Sequence, residues 1–144
     1  MSEIHQSTSV AYSAAQMFEL VNNVEAYPAF LPWCDAALVL SRSASTSRVR
    51  ISVRKGVLKY TFTTDNYPQA PCQLELRLVD GPFKQLNGLW RFIDNALGSR
   101  VSLDLRFEFS NRVVAATLSP LFKAVTSSMV EAFKQRATVV YGPH

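Results

Sequence analysis

From about Ala36 to Ser110 apolar and polar residues alternate in run after run, and this pattern restricts the fold more than any other feature of the chain. Val49, Ile51 and Val53 alternate with Arg48, Arg50, Ser52 and Arg54. Leu58, Tyr60 and Phe62 alternate with Lys59, Thr61 and Thr63, and Cys72, Leu74, Leu76 and Leu78 with Gln73, Glu75 and Arg77. Leu86, Gly88, Trp90 and Phe92 oppose Asn87, Arg91 and Asp94, and Val101, Leu103, Leu105, Phe107 and Phe109 oppose Ser102, Asp104, Arg106 and Glu108. A side-chain period of two sends successive residues to opposite faces of a sheet, so each strand has one apolar and one wet face. Beyond Ser110 the period changes. Leu121, Phe122, Val125, Met129, Ala132, Phe133, Arg136, Ala137 and Val140 recur at spacings of three and four, the pattern of a long amphipathic helix. A helix is about 10 Å across and strands lie nearly ~5 Å apart, so one helix cannot cover a broad sheet unless the sheet curls around it.

The remaining segments complete an α+β domain spanning residues 1–144 as one unit, with no internal repeat or linker. Residues 3 to 10 alternate loosely and predict a first strand carrying Ile4, Gln6, Thr8 and Val10 on one side. Ser13-Ala14-Ala15-Gln16 reads as a capping box opening a helix whose apolar face is Met17, Phe18, Leu20, Val21 and Val24. Tyr27-Pro28-Ala29-Phe30-Leu31-Pro32-Trp33-Cys34 is an aromatic connector, closing one end of the core or forming the lip of a cavity or a membrane-touching edge. Lys55-Gly56, Tyr67 to Pro71 and Asp80 to Phe83 are expected reversals, and Asp65, Asp80 and Asp94 are expected at turns or strand ends. Ser119-Pro120 is the expected start of the long helix, with Val113 to Leu118 as an alternative earlier stretch kinked by the proline; Gly142-Pro143 ends it.

Several function classes are disfavoured. Cys34 and Cys72 form no CxxC pair, and the two histidines, His5 and His144, sit at opposite ends of the chain, so neither a metal site nor a histidine-driven nucleophile is expected. Gly56, Gly81, Gly88, Gly98 and Gly142 are isolated, which excludes a Gly-rich phosphate loop, and no G-x-S-x-G occurs. The acidic residues fall on outward faces, leaving no pair of titratable groups to converge as acid and base; a binder is expected, with no catalytic residue. The N-terminus has no basic segment followed by an apolar one, and uninterrupted apolar runs are short, which predicts a cytoplasmic protein.

Charge is unevenly distributed. The chain has 15 Lys and Arg against 11 Asp and Glu. No acidic residue lies between Asp35 and Asp65, yet Arg42, Arg48, Arg50, Arg54, Lys55 and Lys59 fall there, so all the excess positive charge does too. Arg48, Arg50, Arg54, Lys55 and Lys59 are candidates for phosphate contact; the competing reading is a solvated edge hairpin whose basic residues block aggregation. Inside a curled sheet, side chains either fill the hollow or line a ligand cavity. Its wall would be Tyr60, Phe62, Leu76, Trp90, Phe107, Met129 and Phe133, with Trp33 at the lip and Phe83 in the turn before Leu86.

Four motifs carry a resemblance: Tyr27-Pro-x-Phe30-x-Pro32-Trp33-Cys34, Gly81-Pro82-Phe83-Lys84-x-Leu86-x-Gly88-x-Trp90-x-Phe92, Phe107-x-Phe109-Ser110 and Met129-Val130-x-Ala132-Phe133-x-x-Arg136-Ala137. They resemble the coenzyme Q-binding START-like proteins over nearly the whole chain, and the ending Val139-Val140-Tyr141-Gly142 is most similar to the ribosome association toxin branch of that family. The tail Pro143-His144 departs from it. The resemblance implies a helix-grip fold, a curved antiparallel sheet of about seven strands wrapped around the C-terminal helix. It also implies two activities with no required cofactor: binding of ubiquinone or a similar isoprenoid lipid in support of respiration, and binding of the large ribosomal subunit, through RNA or protein, to block subunit association. An antitoxin protein and peripheral membrane contact are further partners it suggests.

Overall fold

The computed structural model describes residues 2–143; His144 lies outside the described residues. The chain order is β1 (Ser2–Val10), α1 (Ala14–Asn22), a 3-10 helix (Val24–Ala29), β2 (Cys34–Arg42), β3 (Ser47–Lys55), β4 (Leu58–Gln69), β5 (Gln73–Asp80), β6 (Phe83–Asn95), β7 (Gly98–Phe109) and α2 (Arg112–Tyr141). The seven strands form one antiparallel sheet in the order β1-β7-β6-β5-β4-β3-β2. Strands β2 to β7 are a run of hairpins, the connection that antiparallel neighbours allow. Strand β1 joins β7, so the α1 and 3-10 segment carries the chain from one edge of the sheet to the other. The capping box forms as expected: Gln16 N–H donates to Ser13 Oγ at 3.1 Å and Ser13 N–H to Gln16 Oε1 at 2.9 Å.

The apolar face of the sheet closes on α2, whose Leu118, Leu121, Phe122, Val125, Val130, Phe133 and Ala137 are buried. By length and composition α2 is apolar enough to cross a bilayer; here its apolar stripe is the centre of the core. Two aromatic clusters anchor it. Phe133 is fully buried with ring centroids 5.4 Å from Tyr27, Phe30 and Trp90, and Phe122 lies 4.5 Å from Phe107 and 5.3 Å from Phe83. Edge-to-face and offset pairs of this kind add to the area they bury.

Five expectations from the sequence are corrected. Of the two expected helix starts the earlier one holds: Val113 to Leu118 are helical, and Ser119-Pro120 is not the start. Asn111 caps the helix, accepting from Val114 N–H at 2.9 Å, and it runs through Pro120 to Tyr141. A proline inside a helix removes one hydrogen bond, and burial of Leu118, Leu121 and Phe122 on either side offsets that loss. The reversal expected over Tyr67 to Pro71 is shorter and lies at Ala70 to Cys72. Strand β4 continues to Gln69, with Tyr67 opposite Glu75 and Pro68 opposite Leu74. Pairing with β3 ends at Asn66, so beyond it β4 has a neighbour on one side only, where strand proline is tolerated. Cys72 accordingly falls in the turn and is exposed rather than on the apolar face. Asp65 lies inside β4 opposite Arg48, not at a strand end. Finally, the basic β3 is an interior strand: the edge is β2, whose Leu38 and Leu40 are exposed, so the edge-hairpin explanation of the arginines does not apply.

Candidate functional site

Inward-facing residues of β3 to β7, together with α2 and the connector, enclose a cavity of about 90 Å³. Of the wall candidates, Trp33, Tyr60, Phe62, Leu76, Trp90 and Met129 line it. Phe83, Phe107 and Phe133 stand outside that wall, buried in the two aromatic clusters. The hollow of the curled sheet is therefore mostly filled by side chains. Gly88 shows how tightly: a Cβ there would meet Leu105 Cδ2 at 2.9 Å and Leu76 Cδ1 at 3.2 Å. Pockets that enclose drug-sized ligands span roughly 300–1,000 Å³, well above this void.

Its polar groups are few and specific. Thr64 Oγ1 donates to Asn66 Oδ1 at 2.7 Å, Thr126 Oγ1 turns back to the Phe122 carbonyl at 2.9 Å, and the Tyr27 hydroxyl donates to the Val21 carbonyl. The Tyr60 hydroxyl, the Trp90 indole N–H and the Asn66 amide N–H make no hydrogen bond with another described residue, although all three side chains are buried against the void. Burial pushes the Tyr60 phenol well above its ordinary range. Tyr27 is raised likewise by burial and by the nearby Cys34, whose own thiol is pushed up to about 11 by burial and then by Asp35. The described wall residues include no carboxylate, imidazole or amine, so the site offers neutral hydrogen-bond donors in an oily setting. Thr64, Asn66 and Thr126 were not anticipated as lining, whereas Tyr27, expected in the connector at a cavity lip or the end of the core, is part of the wall. Extending the β4 alternation from Tyr60 and Phe62 two steps further reaches Thr64 and Asn66; the assumed loop at Tyr67 hid it.

The five basic candidates do not act as one patch: Arg48, Arg50, Arg54 and Lys59 alternate with the buried Val49, Ile51, Val53 and Tyr60 and face away from the cavity, whereas Lys55, paired with Leu58, stands on the other side at the end of β3 beside the turn. Arg48 Nε and Nη2 reach Asp65 at 2.8 and 3.1 Å, and this hydrogen bond lowers the carboxyl pKa below its usual range. Arg54 and Lys59, paired across the β3–β4 hairpin, share Asp35 at 3.9 and 3.4 Å. Among the described residues Arg50 has only a long contact to the Thr63 hydroxyl, 3.5 Å, and Lys55 has no ion pair. Arg42, outside the candidate set, is bound to Glu25 at 2.8 Å. Arg50 and Lys55 are thus the cations most available to an external anion. Among the described residues no group of three His, Cys, Asp or Glu side chains converges on a point.

The family model described as polyketide cyclase / dehydrase and lipid transport matches residues 10–134. The ribosome association toxin RatA of Pseudomonas aeruginosa is 44% identical over 142 residues, covering 96% of this chain and 97% of its own. The mitochondrial coenzyme Q-binding protein COQ10 homolog B of Xenopus laevis is 28% identical, covering 97% of this chain and 59% of its own. In structure, the Zhui aromatase/cyclase from Streptomyces sp. R1128 superposes with a TM-score of 0.86 over 99% of both chains. At 15% identity that likeness concerns the fold alone.

Proposed function

The chain belongs to the ribosome association toxin family, within the polyketide cyclase / dehydrase and lipid transport proteins, and from that premise we propose that it is a non-enzymatic cytoplasmic inhibitor of translation. It binds the large ribosomal subunit and sterically prevents the small subunit from joining. The observation that carries this reading is the 44% identity, over 96% of this chain, to a relative named as a ribosome association toxin. Two features of the geometry support it. The cavity lacks acid and base groups for chemistry and room for a large substrate. The outer face of β3 and β4 presents Arg50, which has no carboxylate partner among the described residues, flanked by Arg48, Arg54 and Lys59, with Lys55 at the rim beside the turn, and phosphate contacts need only such positioned charge. Sedimenting the purified protein with isolated large and small subunits tests the reading: it should travel with the large subunit alone, and recovery with neither subunit would overturn it.

The unpartnered donors of Tyr60, Trp90 and Asn66 favour a second reading, a carrier of ubiquinone or another isoprenoid lipid whose head accepts those hydrogen bonds. Apolar chain buried beside them would gain about 25 cal/mol per Å². The void of about 90 Å³ would have to enlarge to admit it. Organic extraction of purified protein followed by mass spectrometry should yield a stoichiometric isoprenoid quinone if this reading holds, and its absence ends it.

A further inference from the structure

Outside the inner cavity lies a second, larger hollow of about 630 Å³, bounded by the connector, the β3–β4 turn and α2. Its walls differ in character. Pro28, Pro32, Trp33, Leu121 and Val125 make an apolar side, and Arg54, Lys55 and the backbone of Gly56 make the facing rim. Gly56 sits at φ +62° with nothing within 4 Å of where a Cβ would be, so the turn backbone is open to close approach. Asp35 also lines the groove, but it is already shared between Arg54 and Lys59, which leaves the rim and its neighbour with three cations against one carboxylate. Trp33 and Val125 line both hollows, so these two side chains are the partition between groove and inner cavity.

An apolar wall facing a cationic rim matches a molecule with the same two halves. A phosphate backbone would use the rim and leave the wall in water; a neutral lipid would use the wall and leave Lys55 unmatched. We propose that this groove binds a single-chain anionic amphiphile, its carboxylate or phosphate head on Lys55 and Arg54, and its aliphatic chain along Pro28, Leu121 and Val125 toward the Trp33 partition. Movement of Trp33 would then let the chain end enter the inner cavity, whose void alone is too small for it. The size of the groove falls inside the range of roughly 300–1,000 Å³ typical of small-molecule sites. This site is independent of the ribosomal reading, although it shares Arg54 and Lys55 with it.

Calorimetric titration of the full chain with dodecanoate, dodecyl phosphate, hexanoate and dodecanol, each below its aggregation or solubility limit, tests the proposal. Dodecanoate and dodecyl phosphate should bind at least tenfold more tightly than dodecanol, which lacks the charge, and than hexanoate, which lacks the chain. Lys55→Glu, at an exposed turn, should weaken dodecanoate at least tenfold, whereas Arg91→Glu, on the exposed side of β6, should leave it unchanged. Equal affinity for dodecanol and dodecanoate, equal weakening by both variants, or binding to phosphatidylglycerol vesicles with none to monomeric dodecanoate would each overturn it.

Discussion

If phosphate contacts hold this protein on the ribosome, the steepness of its salt dependence follows from the ion pairs of β3 and β4. Each phosphate neutralised contributes about 0.7 to 0.9 to the slope of log K against log salt. Five free cations would cost about 130- to 500-fold in affinity between ~50 and ~200 mM salt. The structure reduces that number: five cations less the two carboxylates that they bind, Asp35 and Asp65, leaves three. Three net contacts give a loss of about 20- to 40-fold over the same range. Binding of labelled protein to isolated large subunits, measured across that salt range, should give the smaller figure. Arg50→Ala should then flatten the slope by about one contact. Asp65→Asn, which releases Arg48, should steepen it by about one and tighten binding at low salt. A slope indifferent to both Arg50→Ala and Asp65→Asn would refute phosphate contact by this face.

Other predictions concern the frame that holds the two faces. Phe133→Ala removes a fully buried ring touching Tyr27, Phe30 and Trp90 and should cost about 3–5 kcal/mol in urea unfolding; a loss below 1 kcal/mol, on the order of a surface change, would contradict the packing. Asn111→Ala should cost roughly 1 kcal/mol by removing the cap of α2, while Ser119→Ala should change little; the reverse order would restore a helix start at Pro120. The Cys34 thiol, near 9 when unperturbed and about 11 here, is held neutral in the folded chain. Above pH 9 the unfolded chain loses that proton first, so stability should fall between pH 9 and 11 and be fully present below that window. Cys34→Ala should remove the part of this fall that starts at pH 9, while the buried phenols of Tyr27 and Tyr60, raised in the same direction, keep the part above pH 10; an unchanged fall between pH 9 and 10 would locate its origin elsewhere.

The fold was legible because the sheet is wet on one face and dry on the other. That asymmetry is written into alternations such as Val49-Arg50-Ile51, and it weakens inside the strands at Ser52 and Thr63, whose outward positions are buried as well. What misled was proline read by local rule. Pro68 and Pro120 each argue for a break, but Pro68 lies where β4 has a single neighbour, and Pro120 is carried by the buried Leu118, Leu121 and Phe122. The basic strand was visible as composition, whereas its neutralisation depends on register. Counting back from the turn at Gly56-Val57 places Lys59 opposite Arg54 and Asp65 opposite Arg48, so one of the two carboxylates was within reach of the sequence. Asp35 was not, because its position depends on the bulged start of β2. Cavity volume was beyond reach for a different reason: it is a small difference between the large volumes of enclosing shell and filling side chains, such as Leu76 and Leu105 closing over Gly88.

Subunit reassociation tests the proposed activity most directly. Purified protein added in molar excess to dissociated subunits, followed by restoration of magnesium and sucrose-gradient sedimentation, should leave separate large and small subunit peaks, with the protein in the large-subunit fractions. Full recovery of the joined particle at that excess would contradict the account.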